Sequence, residues 1–192
     1  MAPSELYGQY NPDLQGVLDG RCRSIAILSD ASGVPTLKDV ADAYGTDDAA
    51  VEWIKIQLEK VNTFVNVKEK LNLTQLYDVS VQILNCYDYL NVLEFCLFCG
   101  RLRHGIYEEF YGCVDPMKIL ASLDRFVADR SSDLRRKREQ QLKDEADQQP
   151  NTGGYDIADA FEKSPESYPT LQRILGKKSK MKEKSDESPR PG

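Results

Sequence analysis

Apolar residues recur at helical spacing from Thr36 onward, and punctuation residues cut that pattern into separate segments. Thr36 can cap a first helix with Asp39 three residues on, Leu37, Val40, Ala41 and Tyr44 form its stripe, and Gly45 ends it. A second helix starts at Thr46, with Asp47 and Asp48 in its positive first turn and Val51, Ile54, Leu58, Val61 and Val65 along one side. A third, about 74–89, places Leu76, Val79, Ile83, Leu84 and Tyr87 together. Asn91 and Glu94 have the spacing of a capping box for a fourth helix over roughly 92–103. Its residues Val92, Leu93, Phe95, Cys96, Leu97, Phe98 and Cys99 are apolar nearly all round, which marks it as the most buried helix. Gly105 closes it. A fifth helix runs from Pro116 to about Asp129, with Ile119, Leu120, Leu123, Phe126 and Val127 inward.

Outside this region the pattern fails. In residues 1–35, Pro3, Pro12, Gly16, Gly20, Gly33 and Pro35 interrupt every short apolar run, so a loosely ordered segment is expected, with Ile25–Leu28 as a brief strand or turn. Residues 131–150 are almost wholly polar and read as a charged helix extension or a linker. Residues 151–192 hold two small apolar clusters and then a Lys- and Ser-rich end, and read as mostly disordered. The predicted fold is therefore all-α, a compact bundle of about five helices over residues 36–130 with flexible ends.

Composition changes this picture only slightly. The chain has 192 residues and a net charge of −6, which argues against a general nucleic-acid coat but allows a local basic patch. The opening Met1-Ala-Pro-Ser-Glu5 has no secretory character, and no stretch approaches the roughly 18 apolar residues of a membrane span. Five cysteines, an odd number, then point to a cytoplasmic protein with reduced, mostly buried thiols.

Candidate chemistry is sparse. Val40-Ala41, Gly45, Val51 and Ile54 match the spacing of a helix-turn-helix, but the second helix would offer Asp47, Asp48 and Glu52 to DNA where Arg, Lys, Asn or Gln are needed. A helical hairpin is the better reading of residues 37–54. Cys96, Cys99, His104 and Cys113 resemble half a zinc knuckle, yet the last spacing is too long and Leu97-Phe98 sits between the first two. Cysteines in such surroundings pack as small hydrophobes. His104, the only histidine, falls at a helix C-terminus, where a cation is favoured. There is no phosphate-binding glycine loop, no nucleophile elbow and no pair of zinc-binding histidines, so the expectation is a non-enzyme without metal or cofactor.

Two features remain as binding candidates. Gly105 and Gly112 bracket Tyr107, Phe110 and Tyr111, aromatics in a loop that solvent alone would leave polar, and they are expected to pack on the fourth and fifth helices. The second is the basic run Arg135-Arg136-Lys137-Arg138, with Arg130 one turn before it, which suits an acidic partner or a phosphate backbone.

The span from Tyr44 to Arg130 resembles an uncharacterised family of small proteins encoded by phages and integrated mobile elements of Bacteroides-type bacteria. The resemblance rests on Tyr44-Gly45, Trp53-Ile54-Lys55, Tyr89-Leu90-Asn91-Val92 with Glu94-Phe95, and the loop Gly105, Tyr107, Phe110-Tyr111-Gly112, Val114-Asp115-Pro116, ending at Phe126 and Arg130. It implies a mobile-element setting, often one of DNA replication or maintenance, and supplies no catalytic residues. Taken together, the expectation is a binding or adaptor protein with a protein partner, with nucleic acid as a secondary partner. The alternative is a sequence-specific DNA-binding regulator using residues 37–54.

Overall fold

The computed structural model describes residues 3–148 apart from Arg23. Those residues form eight helices and no strand: α1 (Pro3–Gln9), α2 (Leu14–Arg21), α3 (Ala26–Ser29), α4 (Leu37–Tyr44), α5 (Asp48–Phe64), α6 (Leu73–Tyr87), α7 (Val92–Arg103) and α8 (Pro116–Gln148). Two isolated bridges, Thr36 with Asn91 and Glu69 with Cys113, are the only β-type pairings among them. The chain divides into two compact units, residues 1–141 and 142–192. Of the second, only the final turns of α8 are described, so the tail expected over 151–192 lies outside the described residues.

The all-α reading holds, and its local signals hold with it. At α4, Thr36 Oγ1 accepts from the Asp39 amide at 3.0 Å while Asp39 Oδ2 accepts from the Thr36 amide at 2.8 Å. At α7, Asn91 Oδ1 accepts from the Glu94 amide at 2.9 Å and Glu94 Oε2 from the Asn91 amide at 3.0 Å. A third reciprocal cap, Asn72 with Gln75, starts α6. Each such cap satisfies amides that a helix start leaves orphaned and is worth about 1 kcal/mol. Helix α7 is the centre of the bundle, with Phe95, Cys96, Leu97, Phe98 and Cys99 all at 0% exposure. Trp53 and Phe126 meet it from α5 and α8, with ring centroids 5.9 Å from Phe95 and 5.7 Å from Phe98.

Residues 1–35 differ from expectation. The described part forms three short helices that complete the core, with Leu6, Tyr10, Ile25 and Leu28 buried. The Ile25–Leu28 stretch is part of a helical turn, with the Leu28 amide donating to the Ile25 carbonyl, and not a strand. The polar anchor is the fully buried Gln15. Its Nε2 donates to the Gln57 carbonyl at 3.0 Å and to Gln57 Oε1 at 2.8 Å. Gln57 Nε2 and Trp53 Nε1 both donate to the Tyr10 carbonyl at 3.0 Å. Helix α2 approaches α7 so closely at Gly100 that a Cβ there would lie 2.3 Å from the Gln15 carbonyl oxygen. Helices of seven or eight residues show barely two turns of periodicity, and a buried glutamine looks like a surface residue in sequence. Both reasons hid this layer.

Candidate binding surface

The charged stretch after the fifth predicted helix is helical, because α8 runs without a break to Gln148. Its middle is fixed by acids and cations that read as surface residues in the sequence. Glu94, whose side chain is 1% exposed, accepts from Arg130 Nε at 2.6 Å and from the Ser29 hydroxyl. That carboxylate also caps α7, so one buried group joins α3, α7 and α8. Arg130 further lies over the Tyr89 ring, 5.7 Å from its centroid. One turn on, Asp133 Oδ2 accepts from the Ile25 amide at 2.8 Å and from the Ser24 hydroxyl at 3.1 Å. Lys137 donates to Asp30 just beyond α3.

This seam splits the expected basic site. Arg130 differs from the rest of the expected site in that its Nε is committed to a buried carboxylate and its side chain is only 19% exposed. Lys137 is half-buried against Asp30, and Arg136 pairs with Asp133 at 2.7 Å. Arg135 and Arg138 are exposed and form no ion pair among the described residues. With Lys137, Asp30 and Leu134 they line a cleft of about 450 Å³. A second cleft of about 460 Å³ lies beside Lys137 and Arg136 and is bordered by Ile27, which is 63% exposed. The run therefore surrounds the helix, with part of it over the seam with α3 and part facing water.

The aromatic loop also divides. Tyr107 is buried, with its ring 6.4 Å from Phe98 and 6.1 Å from Phe126. Its hydroxyl accepts from Arg101 Nη1 at 3.0 Å and donates to Asp129 at 3.1 Å, while Arg125 donates to its carbonyl. Burial, only partly offset by Arg101, raises its pKa above the ordinary 10.0. Phe110 is half-buried against the core. Tyr111 is 76% exposed and its hydroxyl meets Glu109, so its expected packing on α7 and α8 is corrected. The two loop glycines hold φ of +71° and +77°, a backbone region that other residues adopt only with strain.

A model for a family of unknown function, DUF6633, matches residues 70–166. The chain belongs to the DUF6633 family. No curated protein and no solved structure matches it. The family match takes in α6, α7 and the whole of α8, so the Glu94–Arg130 pair, the aromatic loop and the basic run all fall within it.

In this DUF6633 chain the remaining candidates are dispersed. The 37–54 hairpin forms as α4 and α5, but Val51, Trp53 and Ile54 are buried, and the exposed start of α5 carries Asp47 and Asp48. Cys96 and Cys99 are fully buried in α7 and Cys113 is exposed in the loop. Burial pushes the Cys96 and Cys99 thiols far above the ordinary 9.0. No group of three or more metal-ligating side chains collects among the described residues. His104 is the C-terminal cap of α7, with its Nδ1 against Asp19. No described helix is long and apolar enough to cross a membrane.

Proposed function

We propose that this protein is a non-enzymatic binding protein, an adaptor that meets an acidic partner surface through the basic stretch of α8. One observation carries the reading: Arg135 and Arg138 are exposed and unpaired on a helix whose position is fixed by the Glu94, Asp133 and Asp30 contacts beneath it. Rigid presentation lowers the ordering cost of binding, and a positive patch on an acidic chain steers an acidic partner to one place. Leu134 and Ile27 add apolar area beside the charges, which suits a protein surface more than a bare phosphate backbone. The setting we attach to this role is a phage or mobile element, in replication or maintenance of its DNA. DNA reading through α4 and α5 is the weaker proposal, because the helix start that would enter a groove is acidic.

Fluorescence anisotropy with a labelled poly-glutamate peptide, a duplex oligonucleotide and a single-stranded oligonucleotide tests the class of partner. The adaptor reading expects the peptide to bind and both oligonucleotides to bind no better than it does. Tight, sequence-dependent duplex binding would replace it with the regulator. Binding of none of the three would make the basic run a solvated face.

A further inference from the structure

A third cleft lies away from the basic run, at the C-terminal end of α7. It measures about 370 Å³, and Phe64, Asn66, Leu102, Arg103, Glu109 and Phe110 are among its walls. Its charged groups are unequal in one respect. Glu108 is paired with Lys118 at 2.8 Å and with Arg125 at 3.5 Å. His104 meets Asp19, and Glu109 meets the Tyr111 hydroxyl. Arg103 alone among them has no hydrogen bond or ion pair within the described residues, and its Nε is fully buried without an acceptor. A buried donor without an acceptor is costly, and the remaining donors of this half-buried guanidinium, which meet no acceptor among the described residues either, are left for a counter-ion or a ligand.

The guanidinium is nevertheless held in place. Its carbon lies 4.3 Å from the centroid of the Phe64 ring, and His104 meets that ring edge-on at 6.3 Å. Phe64 stays 51% exposed, so apolar area remains open beside the cation, and half-buried Phe110 adds to it. One fixed fork of donors beside open apolar surface suits a carboxylate joined to an apolar group. A phosphate dianion fits less well: the cleft offers a single uncommitted cation, and Glu109 stands on the same wall.

We propose that this cleft binds a carboxylate carrying an adjacent apolar side group, the chemistry found at the C-terminus of a peptide ending in an apolar residue and in free aromatic acids. Arg103 clasps the carboxylate, and Phe64 with Phe110 takes the apolar group. The Asn66 side chain, which has no partner among the described residues, supplies a further donor and acceptor at the rim. This site is independent of the basic face of α8.

Amide-detected NMR titration of the full chain with N-acetyl-phenylalanine, its C-terminal amide and AMP tests the proposal. The acid should shift the amides of Phe64, Asn66, Arg103, Gly105 and Phe110 saturably, and the amide should bind about ten- to a hundredfold more weakly. A peptide ending in free Phe should bind at least as well as the single amino acid if the natural source is a chain terminus; clear preference for the single amino acid assigns a free acid. Arg103→Gln should weaken the acid by the same factor and leave the weak binding of the amide unchanged, while Arg103→Lys restores only part. Should Arg103→Gln fail to fold, the acid-to-amide ratio on the wild-type protein decides alone. Equal binding of acid and amide, stronger binding of AMP, or no saturable shift in this cleft would overturn the proposal.

Discussion

Gly100→Ala separates the packing account from a purely local one, because the two differ in sign. Gly100 lies inside α7, where alanine is favoured over glycine by about 1 kcal/mol. If residues 1–35 were loosely ordered, the substitution would therefore stabilise the protein. In the structure the added Cβ would sit 2.3 Å from the Gln15 carbonyl oxygen and 3.1 Å from Asp19 Cβ. Carbon and oxygen ordinarily approach to about 3.3 Å, so α2 must retreat by roughly 1 Å. The obstacle is backbone and cannot rotate away. Overpacking of this kind costs about 1–3 kcal/mol. Retreat of α2 also strains the two hydrogen bonds from Gln15 to Gln57, each worth about 1 kcal/mol. After the propensity gain, the expected net loss is about 1–3 kcal/mol, or a fall in Tm of about 2–4 °C per kcal/mol for a chain of this size. Urea unfolding followed by circular dichroism measures it. A variant as stable as the wild type, or more stable, would refute the close packing of α2 on α7.

Arg130→Ala leaves the Glu94 carboxylate buried without its cation and should cost about 3 kcal/mol, near the lower limit for a broken buried pair because Ser29 and Asn91 still donate to it; pairing it with Glu94→Gln should recover part of the loss in chemical denaturation. Thiol labelling at pH 8 without denaturant should modify Cys86 and Cys113 quickly and Cys96 and Cys99 only on unfolding, because burial blocks access and raises both thiols; rapid modification of Cys99 would contradict its placement. Hydrogen bonds from Thr36 lower the pKa of Asp39 below the ordinary 3.8, so its contribution is complete above the usual carboxylate range and is lost as pH falls through the lowered value. Asp39→Ala, which removes the titrating carboxylate while Thr36 keeps both of its donors, should accordingly lower stability at pH 7 and flatten the acid limb of the stability profile, as thermal melts across a pH series would record.

What the sequence made legible was local. Thr36 with Asp39 and Asn91 with Glu94 are pairs three residues apart, and their chemistry is complete within one turn. The apolar circumference of α7 announced its burial in the same way. What stayed hidden depends on partners distant in the chain. Glu94 looked like a cap residue and nothing more, yet it also holds Arg130, 36 positions away. Arg130 and Arg135 are alike in sequence, and only the fold makes one a tie to a buried carboxylate and the other a free cation. Gln15 reads as a surface residue because its acceptors lie 42 positions along the chain. Tyr107 and Tyr111 share a loop and a residue type, yet only Tyr107 packs on the core, against Phe98 and Phe126, and the local sequence does not spell out which of the two does so.

The contact surface proposed for this protein is the basic face of α8. The direct test is a salt series of poly-glutamate binding, by anisotropy, for the wild type and for the variant with Arg135, Arg136, Lys137 and Arg138 all changed to alanine. The variant loses the Lys137–Asp30 tie, but the Glu94–Arg130 pair and the Asp133 bonds to Ser24 and Ile25 remain and no fully buried residue is altered, so it should retain the wild-type circular dichroism spectrum. Wild-type binding should weaken as salt rises through screening, and the variant should bind weakly with little salt dependence. Binding by the variant equal to wild type at every salt concentration would contradict the claim.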